Sequence, residues 1–399
     1  MLVQFMLKNV LSFREETRLD MSAIHAYKEH ESNLIDFGGK EKILRVAAIY
    51  GANASGKSNL YLAMSYFQKI VKESLNNVED GFDSAIKKYY NPFFFERGEG
   101  EESEFQIIEI IDNSEYRYGF QYDSERIITE WLYQKSLKTN RTKIIYERMN
   151  DRVEFGQSVR KECEVYKEQL PKETLVLSFF NKLKLKTSIF NNVYSGIMDT
   201  FVVPPDFCED IGIMERYLPL VIDQGKNDLV EFLKAIDVGI EDIEYEDNDE
   251  SGIEFFTLHR GKNDDEYLLN LFNESEGTLK SIILFIYARI AILNNQSLFV
   301  DELNIKLHPL LLKFVVDLFY NDESTAQLIY TTHDTTLMDK RFFRRDQIWF
   351  VQKDEFGYSE LVALSDFKVR SDASFEKDYL SGVYGGIPLL QDFNMKEGV

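Results

Sequence analysis

The spacing of apolar residues switches between two periods along the chain. Met1–Lys8 alternates apolar and polar positions, and Ile43–Tyr50 is a short apolar run ending in a glycine turn, so both predict strands. Over Asn59–Lys72 the period lengthens. Leu60, Ala63, Met64, Phe67 and Val71 recur at helical spacing and predict one buried helix face. Residues 88–150 return to short β-rich runs: Phe93–Phe95, Phe105–Ile111, Tyr116–Tyr122, Ile127–Leu132 and Lys143–Glu147. Asp112-Asn113-Ser114 and Asp123-Ser124 supply turn chemistry between them, which predicts an antiparallel meander. Residues 151–250 carry helical patterns broken at Pro171, Pro204-Pro205 and Pro219, then the acidic run Glu241–Glu250, expected as a solvated loop or edge. From 253 onward strands and helices alternate, with a helix over Leu279–Leu293 and strands at Ser297–Val300, Gln327–Thr332 and Gln347–Gln352. No internal repeat and no sustained heptad is present, so no long coiled-coil arm is expected. The pattern predicts an α/β fold in three parts: 1–150 with the meander, a mostly helical inserted lobe at 151–250, and 251–399.

One motif sits at the change from strand to helix. Gly51-Ala52-Asn53-Ala54-Ser55-Gly56-Lys57-Ser58 matches the phosphate-binding P-loop without departure. Its glycines let backbone N–H groups converge on phosphate oxygens, and the helix N-terminus adds partial positive charge. Lys57 is expected to reach the β- and γ-phosphates and Ser58 to ligate Mg²⁺, with Asn53, Ala54, Ser55 and Asn59 beside them. Ser297–Val300 then ends in Asp301-Glu302. A buried parallel strand delivers its last residues to the sheet edge where ligands bind. There Asp301 is suited to Mg²⁺ and Glu302 to polarising an attacking water. Gln327–Thr332 repeats the design and delivers His333, one of five histidines, to hydrogen-bond a γ-phosphate. Ser275 stands as N-cap before the apolar helix, with Gly277 permitting close approach.

Composition narrows the partners. Lysine plus arginine is 46 against 68 aspartate plus glutamate, a formal net charge of −22, which disfavours a general nucleic-acid coat. Lys182-Leu183-Lys184-Leu185-Lys186 is a local basic stripe that leaves nucleic acid possible, and reads equally as a solvated face. The two cysteines, Cys163 and Cys208, make no disulfide framework, and the N-terminus lacks a signal-peptide pattern. The most apolar stretch, Ser281–Leu293, is interrupted by Arg289 and is too short to span a bilayer. A soluble, cytoplasmic protein is expected, with no membrane partner.

The order of these motifs resembles the ABC-type ATPase heads of the RecF, SMC and OLD groups, over residues 1–75 and 250–399. Asn9-Val10-Leu11-Ser12-Phe13 is similar to the opening segment of those heads, with Leu11 where they often carry arginine and Arg14 as a substitute. Ser275-Glu276-Gly277 is similar to their signature motif, and Leu303-Asn304 to the segment after Walker B, with Asn304 for the usual aspartate. Leu307-His308-Pro309 is similar to a Leu-His-Pro of RecF- and OLD-type heads, with His308 read as a helix start. Phe343–Phe350, Leu364–Phe367 and Tyr379–Pro388 resemble compact AAA-family ATPases of bacterial Abi- and Rlo-type phage-defence operons.

The resemblance implies an ABC-type P-loop NTPase head that binds and hydrolyses ATP with Mg²⁺. It also implies that Ser275 and Gly277 of one copy complete the site of another, so the chain works as a homo-oligomer, at least a dimer. An effector or nuclease is expected on a separate chain, since the stretch after His333 is too short for the Toprim domain of OLD-type proteins. The glycine-rich turn Ser381–Pro388 is either a partner contact or a tail packed on the head. A DNA-engaging repair ATPase of RecF or SMC type is the alternative reading, and a small-molecule kinase a third.

Overall fold

The computed structural model describes residues 1–38, 41–75, 84–96, 101–204, 211–236, 239–248, 252–304, 308–320, 323–370 and 373–387. Pro205, Cys208, Leu307 and Pro388 lie outside the described residues. Two sheets dominate. The first is antiparallel and seven-stranded. Its strands Ser103–Ile111, Ser114–Tyr122, Ile127–Ser136, Thr142–Met149 and Arg152–Phe155 run as a meander. Leu2–Lys8 adds to it beside Ser103–Ile111, and Thr17–Asp20 closes the edge. The Asp112–Asn113 turn has φ of 50° at both residues, the left-handed pair a two-residue hairpin loop requires.

The second sheet has six strands and is mostly parallel. Thr200–Val202, Ser297–Val300, Gln327–Thr331, Val46–Tyr50 and Ile348–Lys353 lie side by side in that order and point the same way. Ser359–Ala363 returns antiparallel at the far edge. This sheet is buried on both faces, so its side chains alternate between two cores. Ala47 and Ile49 join the core shared with the antiparallel sheet. Val46, Ala48 and Tyr50 join a core shared with the helices Ile211–Ile236, Glu276–Asn294 and Pro309–Leu318.

The helix Lys57–Glu73 lies between the sheets and buries Leu60, Ala63, Met64, Phe67, Ile70 and Val71. Phe67 meets Phe5 and Phe105 of the antiparallel sheet at centroid distances of 5.8 and 5.7 Å. Each such side chain contributes about 1.5–3 kcal/mol by leaving water. Two strands of the stretch 151–250 join the large sheets: Arg152–Phe155 extends the meander and Thr200–Val202 pairs with Ser297–Val300.

Two local expectations are corrected and one choice is decided. Phe93–Phe95 is not a strand; Phe93 is buried and stacks on Tyr358 at 4.6 Å, and the run packs as a loop. Pro219 does not break its helix. Ile211–Ile236 continues through it, because Met214, Leu218, Val221 and Ile222 bury one face, and the non-helical residue is Gly225. Of the loop or edge expected for the acidic run, Glu241–Asn248 takes the edge: it is part of the edge strand Ile240–Asn248, in a small antiparallel sheet with Gly252–Arg260 and Glu266–Asn270. Among the described residues no helix is long and apolar enough to cross a membrane.

Candidate functional site

The P-loop strand Val46–Tyr50 is the fourth of the six, flanked by Gln327–Thr331 and Ile348–Lys353, so its turn opens at the C-terminal edge of the parallel strands. Gly56 has φ of +115°, a conformation open to glycine. A Cβ there would also come within 2.4 Å of the Ser359 hydroxyl and 2.8 Å of the Ser12 hydroxyl. Those two serines prop the loop. The Ser359 hydroxyl lies 2.7 Å from that of Ser12 and 2.6 Å from the Ser55 carbonyl, and Asn59 Nδ2 donates to Ser12 Oγ at 2.7 Å. Asn53 and Ala54 are exposed on the loop, and Ser58 in the first turn of the helix that follows.

Lys57 is buried, yet its partners are carbonyls. Its Nζ donates to Gly51 O at 2.7 Å and Ala52 O at 3.0 Å. Burial pulls its pKa below the usual lysine range, and the carboxylates of Glu302 and Asp301 push the other way. The ammonium therefore sits in the field of both acids. The Ser55 hydroxyl is buried with no hydrogen-bond partner. A buried cation and an orphaned hydroxyl in one glycine-rich turn suit an anion with several acceptor oxygens.

Asp301 and Glu302 follow Val300, half-exposed, and Glu302 has φ of +50°. Among the described residues no group of three or more His, Cys, Asp or Glu could hold a metal. The residues expected to bind a metal, Ser58 and Asp301, offer one hydroxyl and one carboxylate oxygen. Such hard oxygens fit Mg²⁺, which keeps water and phosphate for most of its shell. His333 is exposed just past the end of Gln327–Thr331. Asn304 accepts from the Thr332 hydroxyl at 2.8 Å.

The helix Glu276–Asn294 is capped as its sequence requires: Ser275 Oγ accepts from Thr278 N–H at 3.1 Å. Ser275 and Glu276 are exposed, and Ser281 donates to the Gly277 carbonyl at 2.8 Å. Glu274, just before the cap, receives His259 Nε2 at 2.7 Å and the Thr257 hydroxyl. Ser275 thus stands exposed at the helix end, with Gly277 half-buried behind it. His308 caps Pro309–Leu318 through Nδ1, in keeping with a helix start.

Other residues singled out in the sequence have these surroundings. Arg14 is held by Glu101 at 3.3 Å and Glu96 at 3.6 Å. Lys182, Lys184 and Lys186 face solvent while Leu183 and Leu185 pack against the core. Arg344 is fully buried, paired with both Asp346 oxygens at 2.9 and 2.8 Å and donating to the carbonyls of Tyr27 and Glu29. The C-terminal turn is packed on the head. Tyr379 and Tyr384 stack on Phe350 at 5.3 and 5.4 Å, and a Cβ on Gly386 would lie 3.8 Å from Gly51 Cα. Sequence reasoning passed over Ser359, Thr331 and Thr332. The one signal for the threonines is a pair of hydroxyls at the end of an otherwise apolar strand.

The family described as "AAA domain, putative AbiEii toxin, Type IV TA system" matches residues 46–339. No curated protein matches the chain. Among solved structures it is similar to an SMC head bound to the C-winged helix domain of ScpA, at 14% identity over 94% of this chain and 99% of that one, with a TM-score of 0.43. The SMC head domain from Thermotoga maritima is similar at 12% identity, over 91% and 98% of the two chains, with a TM-score of 0.38.

Proposed function

Because the chain belongs to this family of AAA domains, we propose that it binds ATP across the P-loop and the Asp301-Glu302 turn and hydrolyses it to ADP and phosphate. The observation that carries this is Lys57, buried over the loop with only carbonyl partners and set in the field of two acids. In this reading Lys57 and the loop N–H groups bind the β- and γ-phosphates. Glu302 takes a proton from the attacking water, and His333 hydrogen-bonds the γ-phosphate. Ser58 and Asp301 would hold Mg²⁺, which when bound neutralises developing phosphate charge.

The exposed Ser275-Glu276-Gly277 helix end supports a shared site. Its dipole, positive at this end, suits the γ-phosphate held by a second copy, so ATP joins two copies and hydrolysis parts them. The head is then read as two halves, 1–150 and 251–399, with 151–250 between them. The family description names a putative toxin of a type IV toxin–antitoxin system. We carry this over as a cytoplasmic role in anti-phage defence, in which the nucleotide state gates a partner effector protein.

Glu302→Gln tests the reading. It should keep ATP affinity, slow turnover by on the order of 100-fold or more, and accumulate an ATP-dependent dimer or larger assembly in sedimentation. A variant that hydrolyses at the wild-type rate would remove Glu302 as base, and one that stays monomeric with ATP would remove the shared site.

A further inference from the structure

We propose that Thr331 is a positioning residue for the carboxylate turn, a role that rests on the ATPase reading above. Thr331 ends the strand beside Ser297–Val300 and is fully buried. Its hydroxyl accepts from the Glu302 N–H at 2.7 Å and donates to Asp301 Oδ1. Its carbonyl accepts from the Leu303 N–H at 3.0 Å. Three successive residues of the turn are thus tied to one residue of the neighbouring strand. The hydroxyl has a single proton, and giving it to Asp301 leaves its lone pairs for Glu302, so both acids are addressed at once.

The turn needs this hold. Glu302 is a non-glycine residue in the left-handed region, a conformation that L side chains hold only at a cost. Burying a hydroxyl is itself unfavourable unless it is bonded, and a valine would fill the same place in an apolar strand. The bonds explain why a threonine stands there. They commit Asp301 Oδ1 inward and fix the peptide from which the Glu302 side chain emerges. Thr332 continues the clip: its N–H donates to Ile49 O at 2.9 Å, on the P-loop strand, and its hydroxyl to Asn304. Metal-facing acid, base and P-loop strand are therefore set against one another by two consecutive threonines.

The test compares Thr331→Val, which removes the hydroxyl at equal shape, with Thr331→Ser, which keeps it, both in the full chain. Without nucleotide, hydrogen exchange at the Glu302 amide should quicken about tenfold in Thr331→Val and stay near wild type in Thr331→Ser. With ATP, kcat should fall about 10- to 100-fold in Thr331→Val with KM little changed, more Mg²⁺ should be needed for half-maximal rate, and Thr331→Ser should recover most of the loss. Wild-type exchange and kcat in Thr331→Val would overturn the proposal, as would equal damage from both variants, which would mean packing alone. If Thr331→Val does not fold, Thr331→Ala is read the same way. If the wild type hydrolyses no ATP, the ATPase reading falls, and the exchange comparison still decides whether Thr331 holds the turn.

Discussion

The two large sheets treat buried polar groups in opposite ways. In the antiparallel sheet, Glu130 is fully internal and its carboxylate is consumed by the chain itself. It accepts from Tyr146 at 2.7 Å, Tyr118 at 3.2 Å, and the Val176 and Leu177 N–H groups at 2.7 and 3.1 Å. It faces Arg148 across the strands, and Arg148 donates to the carbonyls of Asn150, Thr174 and Lys172. At the C-terminal edge of the parallel sheet, Lys57 is buried with carbonyls only, and Asp301 and Glu302 stay half-exposed. A satisfied buried network holds a fold together; polar groups left with capacity to spare are ready for a ligand.

Lys57→Ala would separate the regions most sharply. It should abolish measurable ATP binding in calorimetry, a loss of more than about 100-fold, with a melting temperature near wild type. An unfolded variant would show that Lys57 belongs with the structural set. Glu130→Ala is the converse. It should lower stability by about 3 kcal/mol in chemical denaturation, since it strands Arg148 and uncaps the helix Val176–Asn181, while residual folded protein keeps wild-type ATP affinity.

The smallest effect concerns Glu109, also in the antiparallel sheet and close against Gly196, whose added Cβ would lie 3.0 Å from it. Burial pushes its carboxyl up to about 7. With the folded value above the unfolded one, its contribution is fully present below about pH 4.5 and is lost as pH rises through 7. Wild type should therefore lose melting temperature relative to Glu109→Gln between about pH 5 and 8, and parallel curves for the two proteins would refute this.

The same contrast governs what the sequence disclosed. The P-loop was legible because its chemistry is local: eight consecutive residues between an apolar run and a helical period. Leu60, Ala63, Met64 and Phe67 declared their face by spacing alone, and Asp112-Asn113 declared its hairpin by turn chemistry. Phe93–Phe95 misled because aromatic residues mark strands and buried loops alike, and here stacking on Tyr358 decided the matter. Pro219 misled because burial along its helix outweighs one lost backbone bond. Ser359 and Thr331 were silent. Each acts on a residue distant in sequence, Ser359 on Ser12 and Thr331 on Asp301, and a hydroxyl in a strand has no periodic signature.

The serine props under Gly56 have a practical consequence. Ser12 and Ser359 are 347 positions apart in the sequence, yet a single cradle under Gly56 needs both. A chain divided anywhere between the P-loop and Ser359 would share that cradle between its two pieces. Nucleotide affinity would then become a property of their reassociation, which makes this head a natural starting point for a split reporter.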